Sequence, residues 1–211
     1  QALKQKAQVV CITSGGKVAE IAKQHNLDVI TVPGGNPPRT CLGYSVTQLL
    51  KVLQFNGFIS IDFVKLLQAS IALLNADETS IKAEAKTIAD KLKGTVPVIY
   101  SLGNTESLAV RFRQQINENS KMLCWHHVIP EMNHNESVAW GGVGGDKDPA
   151  SDQQVLLFLT WDGMHERVAH RIDWMIAHTT TDFAWKMQGD GNTLLESLLH
   201  LCIVMDWLSI A

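Results

Sequence analysis

The chain has 211 residues, 45% of them hydrophobic, and 18 basic against 21 acidic side chains leave a formal net charge of −3. That length allows one large or two small domains with a sizeable core, and the absence of a long basic run removes the electrostatic case for nucleic acid or an anionic membrane, leaving a small molecule as the expected partner. The four cysteines, Cys11, Cys41, Cys124 and Cys202, stand far apart without a CxxC, which excludes a zinc knuckle and a disulfide framework and points to reduced thiols in the cytoplasm.

The first unit reads as strand Val9–Thr13, turn Ser14-Gly15-Gly16, helix Lys17–His25 and strand Val29–Val32, closed by Pro33-Gly34-Gly35. A strand–helix–strand order implies a parallel sheet, and two strands cannot bury both faces alone, so more of this sheet is expected upstream. From Leu42 to Lys93 the apolar spacing becomes helical, in three expected helices: around Leu49–Leu53, around Phe63–Leu74, and over the charged stretch Asp77–Lys93.

Buried-type strands follow at Val96–Ser101, Met122–Ile129, Val155–Trp161 and Asp182–Met187. They alternate with helical patterns at Thr105–Asn117, His134–Trp140, Met164–His178 and from Asn192 to the end. Alternation of this kind means helices wound on both faces of a parallel sheet. The last helix reaches Ala211 without a glycine or proline stop, and the chain is expected to continue. Residues 1–8 are too polar for a signal peptide, and no run of about 18 apolar residues reads as a membrane span.

Two polar runs flank the strand ending at Ile129: Asn117-Glu118-Asn119-Ser120-Lys121 before it and Pro130-Glu131-Met132-Asn133-His134-Asn135-Glu136 after it. Polar groups gathered at strand ends in open α/β sheets read as a site, with Glu118 and His134 the pair of interest. The plain alternatives are a helix-end carboxylate for Glu118 and a helix cap for Asn133-His134-Asn135. His126 and His127 point to opposite sides of a strand, and with His134 and Glu136 they match no zinc pattern, so no metal is assigned. Gly141-Gly142-Val143-Gly144-Gly145 follows a helix instead of opening one, and reads as a loop. His165, His170 and His178, with Arg167 and Arg171, read as one helix surface.

The segments Ile12–Lys17, Pro33–Arg39 with Leu42-Gly43-Tyr44, Asn117–Lys121 and Pro130–Glu136, in this order, resemble the bifunctional phosphoglucose/phosphomannose isomerase family, built from two sugar isomerase (SIS) domains. The resemblance implies an α/β fold of two doubly wound SIS domains. The C-terminal part of the first would occupy residues 1–41, a helical linker 42–95 and the second domain 96–211. The family's Ser/Thr-rich phosphate loop would precede Gln1, and its C-terminal lysine would follow Ala211.

The implied reaction interconverts glucose 6-phosphate, and also mannose 6-phosphate, with fructose 6-phosphate through an enediol, without cofactor. Such chemistry needs a carboxylate base, and Glu118 is the implied candidate. It needs a proton shuttle for ring opening, suited to an imidazole, and His134 is implied there, reaching into the neighbouring subunit of a homodimer. It gains from a fixed cation beside the enediolate, and Arg39 is the candidate, with an interdomain structural role as the alternative. Ser14, Gly15 and Gly16 would line the substrate with helix N-terminal amides. Two further readings stay open: a sugar-phosphate-binding SIS module without turnover, and an aminosugar-phosphate isomerase.

Overall fold

The computed structural model describes residues 1–141, 147–181 and 183–211, and the chain divides into two units, Gln1–Phe63 and Val64–Ala211. The glycine-rich run from Gly142 onward and the expected strand start at Asp182 lie outside the described residues.

In the first unit, β1 (Val10–Thr13) and β2 (Asp28–Thr31) pair in parallel around α1 (Gly16–Gln24), with Val10 opposite Asp28 and Thr13 opposite Thr31. The strand-to-helix turn needs glycine, because Gly15 has φ +134° and Gly16 φ +64°, where a side chain is strained. Helix α2 (Leu42–Phe55) follows a short 3-10 turn at Pro38–Thr40. Ala22 and Phe63 are the buried apolar side chains of this unit, while Val18, Ile21 and Val29 stay exposed.

Helix α3 (Phe63–Leu92) corrects the expectation of two separate helices here. Its sequence holds neither proline nor glycine to stop it, and the exposed pairs Lys82–Glu78 (2.5 Å) and Lys86–Asp90 (3.1 Å) join neighbouring turns. Its second half buries Ile81, Ala85, Ile88 and Leu92, a stripe at helical spacing. Residues 42–95, expected as a helical linker, are shared between the units: α2 falls in the first and α3, from Val64 onward, in the second.

The remainder of the second unit alternates strand and helix: β3 (Val96–Leu102), α4 (Glu106–Gln115), β4 (Trp125–Ile129), α5 (Met132–Ala139), β5 (Gln154–Trp161), α6 (Glu166–His178), β6 (Ala184–Gly189) and α7 (Leu194–Ile210). The four strands form one parallel sheet in the order β4-β3-β5-β6. Alternation along each strand sends Val98, Tyr100, Ile129, Leu156 and Phe158 into one core with Met132, Trp140, Ile172 and Met175, beneath α5 and α6. The opposite face, with Ile99 and Leu157, lies under α4 and α7.

Two details set the edges of this sheet. Helix α7 lies directly on β6, where a Cβ on Gly189 would meet the Ser197 carbonyl oxygen at 2.5 Å. Strand β4 starts at Trp125, three residues later than the apolar pattern suggests. The Asn117 amide takes the Met122 carbonyl at 2.7 Å, and Lys121 holds a left-handed backbone (φ +59°), so the chain cannot yet join the ladder.

Candidate functional site

Helix α4 widens after Gln115 into a π-helical turn, Ile116–Ser120, a form found disproportionately at functional positions. Most of the turn's polar side chains are committed inward. Asn119 Nδ2 donates to Ser209 Oγ (2.8 Å) and to Gln115 Oε1 (3.2 Å), Ser120 Oγ donates to the Ser209 carbonyl (2.6 Å), and Asn117 holds Met122 as described. Lys121 Nζ donates to the Glu118 carbonyl oxygen. Glu118 is the exposed member of the turn. Its neighbours Asn119 and Ser120 fasten the turn to α7.

His134 lies in the first turn of α5 and is also exposed. The cap alternative does not hold, because the helix starts at Met132, its N-cap is Glu131, and no side chain bonds there. Glu118 precedes β4 and His134 follows it. One chain therefore holds them at opposite ends of a strand that advances about 13 Å over its four steps.

Arg39 and the Ser14–Gly16 turn belong to the first unit. Arg39 is exposed on the Pro38–Thr40 turn, whose backbone closes through Cys41 N donating to Pro38 O at 3.0 Å. At the glycine turn, Gly15 N donates to Thr13 Oγ1 (3.2 Å), and that hydroxyl donates to Gly15 O (3.0 Å). The Gly15 amide is thus engaged within the turn by Thr13. Gly34 sits against Ser14, where an added Cβ would lie 3.3 Å from the serine Cβ.

Sequence spacing missed a hydrogen-bonded chain on the inner side of α5. Glu136 Oε2 accepts from Tyr100 Oη at 2.6 Å, Glu136 Oε1 pairs with His127 Nδ1, and Trp140 Nε1 donates to Tyr100 Oη at 2.9 Å. Tyr100 is fully buried, and burial together with the adjacent Glu136 carboxylate drives its hydroxyl pKa far upward, so it remains a donor. A recess of about 250 Å³ opens beside this chain, lined by Trp125, His127, Glu136, Ala139 and Trp140 among others. The register sets Tyr100 opposite His127 on one sheet face, a pairing that no local sequence pattern signals.

The loose histidine grouping separates. His127 turns to Glu136, His126 turns to Glu106 at 3.5 Å on the other face, and His134 lies exposed on α5. Elsewhere, donor atoms of Asp77, Asp190 and His200 come within 4.8 Å of one another. His200 is buried, and burial lowers its pKa against the opposing pull of Asp190 and Asp77. Of the surface histidines of α6, His170 lines a recess of about 330 Å³ with Arg171, Trp174, Asn133 and Ser137. No helix of the described residues is long and apolar enough to cross a membrane.

The profile of the family described as "Bacterial phospho-glucose isomerase C-terminal SIS domain" matches residues 81–211. A bifunctional phosphoglucose/phosphomannose isomerase of Aquifex aeolicus is 34% identical over 205 residues, covering 95% of this chain and 60% of that protein. Its namesake in Caldicellulosiruptor bescii is 38% identical over 178 residues, covering 79% of this chain and 50% of that protein. The chain therefore spans between half and three fifths of the length of these two relatives. In architecture it is similar to a glucosamine-6-phosphate deaminase from Thermotoga maritima, with TM-score 0.64, 12% identity, and coverage of 99% of this chain and 62% of the other.

Proposed function

This chain belongs to the bacterial phospho-glucose isomerase C-terminal SIS family through residues 81–211, and from that premise we propose that it forms part of a hexose 6-phosphate aldose–ketose isomerase. The reaction interconverts glucose 6-phosphate with fructose 6-phosphate. Mannose 6-phosphate enters the same enediol when the bound intermediate turns about C2–C3. The names of the two isomerase relatives support this reading.

The residues divide the work by charge and proton affinity. His134 moves a proton between the ring oxygen and the C1 hydroxyl, opening the hexose. Glu118 takes the C2 proton, giving the enediol, and returns it at C1; substrate and product are isomers, so no outside oxidant or reductant is needed. Arg39 offsets charge on the enediolate oxygen, and Ser14, Gly15 and Gly16 line the sugar phosphate.

One observation carries the reading: Glu118 and His134 flank opposite ends of β4 within one chain. Two groups so placed act on one substrate when a second copy supplies the other member, so the working form is a homodimer whose sites each take Glu118 from one protomer and His134 from its partner. Mixing Glu118→Gln enzyme with His134→Ala enzyme under subunit exchange tests this. Half of the dimers become mixed and each carries one intact site, so activity should recover to about a quarter of wild type. Mixed dimers that form without any recovery would overturn the shared site.

A further inference from the structure

We propose that Glu136, gripped by Tyr100 and His127, is a positioning residue that fixes the rotation of α5 and so presents His134 outward for ring opening. The proposal rests on the reading of His134 given above and deepens it. Helix α5 has eight residues, Met132–Ala139. A helix below about 12 residues is marginal by itself, so contacts with the rest of the fold must set its orientation.

On its inner side Met132 is fully buried in the core below. The polar anchor is Glu136, whose two carboxylate oxygens are divided between two strands: Oε2 accepts from Tyr100 Oη of β3 (2.6 Å), and Oε1 pairs with Nδ1 of His127 on β4. Tyr100 and His127 are direct neighbours across the ladder, and Trp140, just past the helix end, donates to Tyr100 Oη (2.9 Å). Both ends of the grip are therefore on the rigid sheet. Residues two apart on a helix diverge by about 200°, so anchoring Glu136 inward turns His134 to the opposite, exposed side.

An ionised carboxylate at 136 accepts from Tyr100 Oη and, with the His127 proton on Nδ1, from the imidazole in a charge-assisted bond; glutamine keeps an acceptor for Tyr100 but brings no charge to His127. The substitution Glu136→Gln keeps the volume and removes the charge that strengthens the His127 half of the grip. Tyr100→Phe keeps the buried ring and removes the other half.

The test uses full-length enzyme and reads ring opening separately from isomerisation, as the enzyme-catalysed exchange between α and β anomers of glucose 6-phosphate followed by NMR. His134→Ala is the reference variant. Glu136→Gln should slow anomer exchange about 10- to 100-fold and lower kcat on the cyclic substrate in the same sense, with KM held within about twofold, and Tyr100→Phe should slow exchange likewise. A purely structural role would lower Tm and leave the exchange rate per folded enzyme unchanged, which overturns the proposal. If His134→Ala itself leaves anomer exchange intact, the assignment of His134 falls. If His134→Ala abolishes exchange while Glu136→Gln and Tyr100→Phe do not alter it, the positioning role alone is refuted.

Discussion

At the scale of single residues, the run Asn117-Glu118-Asn119-Ser120-Lys121 shows how one polar segment splits into support and function. Asn117, Asn119 and Ser120 spend their hydrogen bonds on Met122, Gln115 and Ser209, while Glu118 and Lys121 lie at the surface. A sequence can flag five polar residues; which of them turn inward depends on α7 arriving from far along the chain. Glu118→Gln should lower kcat for isomerisation about 10²- to 10⁴-fold while the affinity for a sugar-phosphate inhibitor changes little, measured by steady-state kinetics and calorimetric titration. Turnover at the normal rate would remove Glu118 from the role of base.

His200 makes a separate prediction. Its imidazole is held toward the neutral form by burial, so its folded-state pKa lies below the unfolded value. The unfolded chain then binds the extra proton as pH drops below about 6.5, and the folded state loses stability over that interval and keeps it above. Between about pH 7.5 and pH 5.5 the Tm of the wild type should fall more steeply than that of His200→Gln. Parallel slopes in thermal melts of the two proteins would contradict this origin.

At the scale of elements, strand and helix types were readable from period and propensity, and β1, β3, β5 and α7 fall within a few residues of expectation. The differences have local causes. Helix α3 runs through the expected break because no stop residue interrupts it, and β4 starts late because Asn117 captures Met122 O. The turn into α7 is closed by Thr193 and Glu196: Thr193 Oγ1 accepts from Glu196 N (3.3 Å), while Glu196 Oε2 accepts from Thr193 Oγ1 (2.7 Å) and from Asn192 N (3.1 Å). Thr193→Ala should cost about 1 kcal/mol by denaturant unfolding. Gly189→Ala forces a methyl into the Ser197 carbonyl beneath α7, and a loss of about 1–3 kcal/mol is expected from the same measurement. A neutral result at Gly189 would mean that α7 can shift off β6 at little cost.

At the scale of the whole molecule, the alternation of strands and helices, the α/β class and the four ordered motifs with their family resemblance came from the sequence itself, because period, turn residues and short motifs are written locally along the chain. The order β4-β3-β5-β6, the fastening of the Glu118 turn to α7, and the meeting of Tyr100, His127 and Glu136 were decided only in three dimensions. Each depends on strand register and on which helix covers which face, choices made by burying apolar area between distant segments, and no local pattern encodes them.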